Sequence, residues 1–599
     1  MFFLEIFMKD VALVSLPWVL YDRPSIQLGV LKAFLDQRGI QANCFHLHLR
    51  FAAKLGYQVY RDISREYWIA ESIASSLLFP EMNPDITTFC KKLCKKLRIT
   101  PFNFDIVKEQ FNDFVTKSIS SINFEEYKLI GISACSNQLT TSLFFAKRLK
   151  LVYPKIEIVF GGSNCTGDLG ASLLRNFPYI DFVVNGEGER PLLELIKNGY
   201  RESPIMPKGV LYRKRNKIMG KGINQIRNID DLPRPAYLEY FKDLYSLVQK
   251  EKRFNPLIPL EFGRGCFWNR CNFCNLNFQW QGYRRKSVKN VLNSICFYTE
   301  LFGSLNFCFV DNVLPEHELR LLFDSIAEKG RDYLFLGELR ANTNLENVRY
   351  FSACGLKRIQ VGIEALSSGL LEKMNKGTRV IDNIAIMKEC LENEITLSGN
   401  IILHFPGSNE NDVGETLKNL RYARYFPALK PNYYYLAYLS PVFNEQKKFG
   451  INKIFPHHHY RHIFPRTILK DLKVIYWAYN ADLTIQRRIW KPVEREIKEW
   501  HSYYLKASKD GPPLSYIDGG SFLIIKQIMD DYSVRYHRLN NIERELYLYC
   551  ARPKGIEQIR SLRSRISFDK LEGMLSNWTR ELLMFGEDGQ YLSLAIHYS

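Results

Sequence analysis

Short apolar runs alternate with amphipathic segments along the first part of the chain. Residues 11–16 (VALVSL) predict a buried strand, and residues 25–39 predict a helix that begins after Ser25 and ends at Gly39. The same alternation continues in predicted strands at 129–135, 156–162 and 181–189 and in a predicted helix at 140–154. Strand, helix and strand at this spacing indicate a parallel, doubly wound sheet, which binds ligands beyond the carboxyl ends of its strands.

A second α/β series follows a break in the pattern. Residues 58–125 have helical periodicity, so we expect a helical insertion within a first domain of residues 1–227. A Pro- and Asp-rich stretch then opens a predicted linker, 228–257. Further strand patterns lie at 258–263, 305–310, 333–338, 357–363, 396–403 and 433–439. These strands and the helical patterns between them predict a partial (β/α)6 barrel over 258–440, with chemistry at its C-terminal rim.

The last part of the chain, 441–599, is predicted to be a mostly helical, basic domain. Its end, 535–599, predicts helices followed by a hairpin that turns at Asp588-Gly589, which resembles a small winged-helix unit. The predicted fold class is therefore α/β, with a Rossmann-like N-terminal domain, a partial TIM-like barrel and a helical C-terminal region.

The composition of the chain indicates which partners and which cellular compartment to expect. The formal charge of +19 favours acidic ligands or nucleic acid, but no dense Lys/Arg tail or RNA-binding motif occurs, so we expect nucleic acid not to be the partner. No apolar run of about 18 residues occurs, and residues 1–10 lack a basic start and a cleavage site, so we expect neither a membrane span nor a signal peptide. Thirteen cysteines indicate reduced thiols in the cytoplasm.

Three cysteines lie within nine positions of the stretch RGCFWNRCNFCNLN. Cys266, Cys271 and Cys274 have no fourth cysteine or histidine close behind them. Structural zinc takes four protein ligands, whereas a four-iron cluster held by three thiolates leaves one iron open for a small molecule. Structural zinc and chance clustering of buried cysteines stay as alternatives. Three adjacent histidines, 457–459, cannot share one helical face, so we expect no metal there.

Four glycines stand at the ends of predicted strands in the N-terminal sheet. They are Gly161, Gly162, Gly186 and Gly188. Each could simply end a strand, but four at one rim favour a ligand site.

The cysteine loop, with an aromatic residue before its last cysteine, resembles that of radical S-adenosylmethionine (SAM) enzymes. Their usual first gap is three residues, and here it is four. Over residues 10–440 the chain further resembles the cobalamin-dependent radical SAM proteins that mature ribosomally made peptides. The stretches that carry the resemblance are LVSLPWVLYDRPSIQLGVLKAFL, IVFGGSNCTGDLG…FPYIDFVVNGEGE, CNFCNLN…GYRRKSVKNVLNSI, FCFVDNVL, GELRANTN, RIQVGIEALSSGLLEKMNKGT and NIILHFPG.

The resemblance implies the site residues. Cys266, Cys271 and Cys274 would ligate a [4Fe–4S] cluster whose open iron binds SAM. Contacts to SAM would come from Phe273, Asp311, Asn312, Glu338, Arg340, Gly362, Glu364 and Asn400. An ion pair between Arg340 and Glu338, and ordinary strand capping by the other polar residues, are the alternatives.

The same resemblance assigns cobalamin to the N-terminal sheet. No Asp-x-His-x-x-Gly motif occurs in residues 1–250, so we expect the cobalt to have no histidine ligand. The expected contacts are Ser133, Asn137, Gln138, Gly161, Gly162, Ser163, Asn164, Glu187 and Gly188. A degenerate sheet that has lost its cofactor is the alternative.

The implied activity is radical C-methylation of unactivated sp3 carbons in a ribosomally synthesised peptide. Methylcobalamin would donate the methyl group, and a 5′-deoxyadenosyl radical would abstract the hydrogen. The expected partners are a precursor peptide and an electron donor such as flavodoxin or ferredoxin. One alternative keeps the cofactors but makes a cross-link, ring or rearrangement. A tRNA-modifying enzyme would need a second cluster, for which Cys44, Cys90, Cys94 and Cys135 are too scattered, and a non-catalytic binding module also stays open.

Overall fold

The structure is a computed structural model of the 599-residue chain, and it describes residues 9–97, 99, 102–197, 206–215, 217–250, 253–481, 483–562 and 566–598. The chain folds into two compact units. The first comprises 1–265, 276–310 and 455–478, and the second comprises 266–275, 311–454 and 479–599. These units do not follow the predicted domain boundaries. Residues 228–257, predicted as a linker, lie in the first unit, where Ile229 and Leu232 are buried against Val30 and Phe34.

The first unit is built on a seven-stranded sheet in the order β2-β1-β3-β4-β5-β6-β7. Strands β1 to β5 are parallel neighbours, and β6 and β7 extend the sheet antiparallel at one edge. The strands are β1 (Lys9–Ser15), β2 (Ala42–His46), β3 (Tyr127–Ser133), β4 (Glu157–Gly161), β5 (Phe182–Val184), β6 (Val210–Lys214) and β7 (Lys217–Met219). The helices are α1 (Ile26–Asp36), α2 (Leu47–Leu55), α3 (Tyr57–Ser64), α4 (Tyr67–Leu78), α5 (Asn83–Leu97), α6 (Phe104–Ser121), α7 (Leu139–Val152), α8 (Asp168–Asn176), α9 (Glu189–Lys197) and α10 (Leu238–Leu247). The Rossmann-like parallel sheet predicted from the sequence is confirmed.

The register of the sheet brings four strand ends into one row. His46 pairs with Ser15, Ser15 with Ser133, and Ser133 with Gly161. Helix α1 begins where the sequence predicts, because the Ser25 hydroxyl accepts a hydrogen bond from the Leu28 amide. The carboxyl edge of the sheet is therefore a continuous rim.

The helical insertion, α3 to α6, contacts this rim through one buried carboxylate. Glu71 of α4 is 1% exposed and accepts hydrogen bonds from the Leu139 and Thr140 amides at 3.0 and 2.7 Å. These amides begin α7, so Glu71 occupies the helix N-terminus at which anions commonly bind. Burial raises the pKa of Glu71 to about 7, although the two amides and the Thr140 hydroxyl act in the opposite direction.

Strands and helices alternate from residue 258 to residue 433. The strands are β8 (Ile258–Leu260), β9 (Gly263–Arg264), β10 (Arg284–Arg285), β11 (Asn306–Phe309), β12 (Leu334–Leu339), β13 (Leu356–Val361), β14 (Thr396–Ser398), β15 (Asn400–Leu403), β16 (Lys430–Tyr433) and β17 (Leu436–Ala437). The helices are α11 (Val288–Phe302), α12 (Glu316–Ala327), α13 (Leu345–Ala353), α14 (Ser368–Lys373), α15 (Val380–Glu392) and α16 (Glu410–Ala423). In the first unit β8 and β11 pair in parallel. In the second unit β12, β13 and β14 are parallel neighbours, and β15 pairs in parallel with β16.

The prediction of a mostly helical C-terminal region is wrong. The helices are α17 (Pro441–Asn444), α18 (Arg466–Leu469), α19 (Leu483–Ala507), α20 (Ile542–Tyr549), α21 (Ile556–Leu562) and α22 (Phe568–Arg580). They are interspersed with β18 (Lys453–Pro456), β19 (Tyr476–Asn480), β20 (Leu514–Asp518), β21 (Phe522–Ile528), β22 (Val534–Asn540), β23 (Lys554–Gly555), β24 (Met584–Glu587), β25 (Gln590–Ser593) and β26 (Ile596–His597). The error has a physical reason: β22 is exposed along most of its length, so it shows no alternation of apolar and polar positions.

The end of the chain follows the element order α20, β23, α21, α22, β24, β25, which is the order of a winged-helix unit. Strands β24 and β25 pair in antiparallel around Asp588 and Gly589, both with positive φ, as a tight hairpin requires. This unit packs on the barrel region of the second unit. Lys388 of α15 is 2% exposed and donates to the Ala551 and Ser593 carbonyls, each at 2.9 Å. No helix among the described residues is both long enough and apolar enough to cross a membrane.

Candidate functional site

The cysteine loop lies in the second unit, and its three cysteines are half-buried and not joined in disulfides. Between Cys266 and Cys271 the chain turns at Asn269, whose φ of 46° is in the left-handed region. Asparagine tolerates this conformation better than most residues with a Cβ. The loop therefore accommodates its additional residue in a local turn.

Five consecutive carbonyls, those of residues 373–377, hold the loop and its surroundings. We call this segment the carbonyl platform. The Asn272 backbone amide donates to the Met374 carbonyl at 2.8 Å, and its side chain donates to the Lys373 carbonyl at 2.7 Å. The Asn375 carbonyl accepts from Nε1 of Trp268 at 3.0 Å. The last two carbonyls, of Lys376 and Gly377, accept from Arg340 at 2.6 and 3.2 Å.

Two carboxylates and one ammonium group meet at the ends of β12 and β13. Nζ of Lys376 lies 3.2 Å from Oε1 of Glu364, and both side chains are largely buried. Burial and the neighbouring Glu364 raise the pKa of Glu338 to about 7, and Lys376 opposes this shift. Glu364 and Lys376 balance each other in charge, and Glu338 adds a second carboxyl group that can accept a hydrogen bond from a ligand's amino group.

Arg340 does not pair with Glu338 in an ion pair among the described residues. Its guanidinium instead lies 4.3 Å from the Trp268 ring centroid and donates to the carbonyl platform and to Asn342. Burial raises the pKa of the Cys271 thiol, and the nearby Lys376 and Arg340 act against this rise. Both cations are thus placed to stabilise a thiolate at Cys271.

The remaining SAM candidates lie around this group. Asp311 is buried and Asn312 half-buried just beyond β11, and the Phe273 ring centroid lies 5.7 Å from Nζ of Lys376. Asn400 begins β15, and its carbonyl accepts from the Glu364 amide at 3.0 Å. At Gly362 a Cβ would lie 2.3 Å from Nζ of Lys376, so this glycine makes room for the ion pair with Glu364.

Two residues of this site, Lys376 and Trp268, are not among those predicted from the sequence. Lys376 is inside the stretch EKMNKGT, and Trp268 stands in the widened first gap of the cysteine loop. The four-residue gap between Cys266 and Cys271, in place of the usual three, could have drawn attention to Trp268, which lies within it. No spacing rule indicates Lys376, which reaches Glu364 through the tertiary fold.

The donor set of the second unit fits an iron–sulfur cluster with a ligand beside it. The loop carries three half-buried cysteines, and Lys376 and Arg340 favour a thiolate at Cys271; thiolates are the ligands of such clusters. The polar group Glu338, Glu364 and Lys376 is what a SAM amino acid or ribose moiety would meet.

A cavity of about 350 Å³ lies at the carboxyl rim of the first unit. It is lined from β1 and β3 and the loops that follow them, by residues that include Ser15, Trp18, Arg23, Asn137 and Gln138. The cavity adjoins the row of strand ends, as expected for a ligand site in a parallel sheet.

The two neighbouring glycines at the end of β4 have different roles. A Cβ at Gly161 would meet nothing within 4 Å, so the space there is open. Gly162 has a φ of 103°, and a Cβ there would lie 3.1 Å from the Ala134 carbonyl oxygen. Gly162 is therefore required by the chain itself, and Gly161 leaves room for a ligand.

Three predicted amide side chains hold the rim loops together. Asn137 donates to the Ser64 carbonyl at 2.6 Å, Gln138 to the Leu16 carbonyl at 2.5 Å, and Asn164 to the Cys135 carbonyl at 2.9 Å. The half-buried Ser133 and Ser163 lie at the same rim. The amide side chains hold the loops of the rim in place, and the small residues leave space at the strand ends.

Glu187 belongs to a buried ion network. Its carboxylate lies 2.7 Å from Arg284 and 3.3 Å from Arg264, and Arg264 in turn lies 2.8 Å from Glu189. A Cβ at the adjacent Gly188 would lie 3.3 Å from Leu31. Glu187 therefore supports the rim by fixing the segment that leads to Cys266 in the sequence.

The rim fits a bound cofactor such as cobalamin by its shape, because open space at Gly161 adjoins the row of strand ends. His48 also lines the cavity and is fully buried, with Nε2 3.3 Å from the Arg23 carbonyl. Burial lowers the pKa of His48 to about 4, so its ring is neutral at physiological pH.

The histidines 457–459 are closer together than the sequence predicts. A short helical turn, His458–His462, brings their ligand nitrogens within 4.8 Å of one another. Nδ1 of His457, however, accepts a hydrogen bond from the His459 amide at 3.3 Å. That nitrogen caps the turn.

Parts of the chain are similar to known proteins. Residues 260–420 match the Radical SAM superfamily. An uncharacterized methyltransferase of Pyrococcus horikoshii is 26% identical over 298 residues, which are 48% of this chain and 63% of that protein. The chain thus spans about half to two thirds of the length of the curated relatives it matches.

Two solved structures share the fold over most of the chain. The cobalamin-dependent SAM radical enzyme OxsB, with aqua-cobalamin and SAM bound, aligns over 96% of this chain and 71% of its own, with a TM-score of 0.51 and 14% identity. The radical SAM methyltransferase TsrM from Kitasatospora setae aligns over 82% of this chain and 89% of its own, with a TM-score of 0.54 and 12% identity. Residues 260–420 are therefore a radical SAM region, and the chain shares the fold of the OxsB and TsrM structures.

Proposed function

We propose that this protein is a cobalamin-dependent radical SAM methyltransferase that binds a [4Fe–4S] cluster, SAM and cobalamin. The observation that carries the proposal is the position of the three-cysteine loop in the radical SAM region, held on the carbonyl platform with Cys271 beside Lys376 and Arg340. The methyltransferase relative and the likeness to TsrM support methyl transfer as the outcome. Bound together, these cofactors supply a carbon radical and a methyl donor.

The chain's own residues position the cofactors rather than react. Cys266, Cys271 and Cys274 would hold the cluster, and Lys376 and Arg340 favour the thiolate form of Cys271. Glu338 and Glu364 would accept hydrogen bonds from the amino group or ribose hydroxyls of SAM. Positioning of this kind is a large part of what an enzyme contributes to cofactor-borne chemistry.

Cobalamin would lie at the rim of the first unit. Gly161 and the serines at 133 and 163 leave space there, and the amides of Asn137, Gln138 and Asn164 keep the rim loops in place. We propose that the cobalt has no histidine ligand from this chain, because no Asp-x-His-x-x-Gly motif occurs in residues 1–250.

We further propose that the substrate is a ribosomally synthesised peptide. Strand β22 supports this proposal, because it is an edge strand of the sheet β22-β21-β20-β26 and is largely exposed. An edge strand offers unpaired backbone groups to an extended peptide. On the outer face Lys526 pairs with Tyr536 and Ile524 with Arg538, so the face is apolar and basic and suits an acidic peptide segment.

The activity is tested by anaerobic reconstitution with iron, sulfide, cobalamin and SAM. The substrate is the short peptide encoded nearest this gene, the reductant is flavodoxin or a chemical reductant, and the methyl group of SAM is isotopically labelled. A peptide heavier by one labelled methyl group supports the proposal. Loss of two hydrogens without added label would replace methylation by a cross-link.

A matched pair of cysteine variants controls this experiment. Cys266→Ala is expected to lose iron and SAM cleavage together. Cys354→Ala removes another half-buried free thiol and is expected to keep both. Retention of four irons and of SAM cleavage in Cys266→Ala would contradict the assignment of the cluster.

Peptide docking is tested on the outer face of β22. Arg538→Glu reverses the charge there, and we expect weaker binding of the fluorescently labelled precursor peptide, by about tenfold, and less dependence on salt. Arg560→Glu, at an exposed position on α21, is the control. Equal affinities for both variants and the wild type would exclude this face as the docking surface.

A further inference from the structure

The widened gap between Cys266 and Cys271 contains Trp268, and this side chain is held from several sides. Its Nε1 donates to the Asn375 carbonyl at 3.0 Å. Its ring lies so close to Gly377 that a Cβ there would come within 2.1 Å of Cζ2. Gly377 also has a φ of 66°, so both its conformation and its surroundings require glycine.

Arg340 lies against the same ring. Its Cζ is 4.3 Å from the ring centroid, which is within the range of a cation–π interaction. The guanidinium also donates to the Lys376 and Gly377 carbonyls, so it is fixed between the indole and the carbonyl platform. Arg340 is 9% exposed, so solvent screens its charge little.

Arg340 lies beside the cluster loop, because the Trp268 ring that its guanidinium contacts is two residues after Cys266 and three before Cys271. Burial lowers the pKa of Arg340, and interaction with Cys271 and Cys266 acts in the opposite direction. Two of the three cluster ligands therefore lie within electrostatic reach of a guanidinium that Trp268 helps to hold.

We propose that Trp268 is a positioning residue that holds the Arg340 guanidinium against the cluster-loop cysteines and thereby raises the reduction potential of the cluster. Reduction adds negative charge to the cluster, and a fixed positive charge nearby stabilises that reduced state. This inference rests on the proposed function, since it requires a cluster on Cys266, Cys271 and Cys274. The additional residue of the loop would thus help to set the reduction potential of the cluster.

The test is a double-mutant cycle on the full-length, anaerobically reconstituted protein without SAM. The variants are Trp268→Leu, Arg340→Met and the double variant, and iron content and the EPR-monitored reduction potential are measured for each. We expect Trp268→Leu and Arg340→Met each to shift the potential to more negative values. The double variant is expected to match Arg340→Met alone, because Trp268 acts through Arg340.

Phe267→Ala is the control, because Phe267 is an adjacent large side chain that is 47% exposed. It is expected to leave the potential unchanged. The inference is overturned if Trp268→Leu leaves the potential unchanged, if the two shifts add in the double variant, or if Phe267→Ala produces the same shift. It is also overturned if Trp268→Leu takes up no iron while Arg340→Met takes up four. If the wild-type protein itself takes up no cluster, the proposed function fails and this inference fails with it, a result distinct from the others.

Discussion

Lys376 forms an ion pair with Glu364, with Nζ 3.2 Å from Oε1, directly beside Gly362. A Cβ at Gly362 would lie 2.3 Å from that Nζ. The glycine therefore allows a lysine beyond α14 to reach a carboxylate beyond β13. The pair lies beside Glu338 and close to Cys271, so it links the polar group at the strand ends to the cysteine loop.

Replacement of this lysine is expected to weaken SAM binding. Lys376→Met leaves Glu338 and Glu364 without their cation, so one of them is protonated and the site loses its charge pattern. We expect SAM affinity to fall at least about tenfold, which is about 1.4 kcal/mol, measured by equilibrium dialysis of the reconstituted protein. Lys418→Met, at an exposed position of α16, is the control. Unchanged SAM affinity in Lys376→Met would remove Lys376 from the site.

At the rim of the first unit, we expect a substitution that weakens cobalamin binding and leaves the stability of the fold nearly unchanged. Gly161→Val puts a side chain into open space, so we expect at least about tenfold weaker cobalamin binding, with a change in unfolding free energy under about 1 kcal/mol. Bound cobalamin is measured by absorbance after gel filtration. Gly414→Ala, where a Cβ also meets nothing, is the control. Full cobalamin binding by Gly161→Val would place the corrinoid elsewhere.

At the neighbouring Gly162, we expect a substitution to lower the stability of the fold. Gly162→Ala forces a Cβ onto a residue with a φ of 103° and toward the Ala134 carbonyl. We expect the free energy of unfolding to fall by about 1–3 kcal/mol, because both strain and crowding act at this position. Denaturant unfolding of the apoprotein measures the change. A variant as stable as the wild type would show that the β4 end can relax.

Glu71 is expected to make the stability of the first unit depend on pH. Its pKa in the folded protein is about 7, above the ordinary value of 4.5, because burial disfavours the carboxylate. The stabilisation it gives is fully present below pH 4.5 and is lost as the pH rises through 7, by about 3 kcal/mol at most. Glu71→Gln removes this loss.

The measurement compares unfolding free energies at pH 5.5 and pH 8 for the wild type and Glu71→Gln. The wild type is expected to lose more stability between the two pH values than the variant. Glu81→Gln, at an exposed position, is expected to follow the wild type. Parallel pH profiles for all three proteins would show that Glu71 titrates in its ordinary range.

Glu587 is expected to stabilise the contact between the C-terminal hairpin and the barrel region. Its carboxylate accepts from the Ile381 amide at 2.6 Å and the Val380 amide at 3.3 Å, at the start of α15. Glu587→Gln weakens this cap, and we expect a loss of about 1 kcal/mol in thermal unfolding. Glu557→Gln, whose side chain is 78% exposed, should cost little. Equal melting temperatures for both variants would contradict this role.

The sequence by itself determined the parallel N-terminal sheet, the strand–helix alternation of the barrel region and the three-cysteine loop. These features are local in the chain: strands such as β1 and β3 are buried apolar runs, and the Ser25 cap and the cysteine spacing are each read within a few residues. The hairpin at Asp588-Gly589 was predictable for the same reason, because its turn needs particular residues.

Only the tertiary structure decided which side chains meet. Lys376 reaches Glu364, Trp268 anchors Arg340, and Glu187 is committed to Arg264 and Arg284, all through contacts between residues distant in sequence. Strand β22 of the C-terminal region was missed because it lies at an exposed edge, where burial imposes no alternating pattern. The periodicity of apolar positions indicates which face of a helix or strand is buried, but it does not indicate which residues pack against that face.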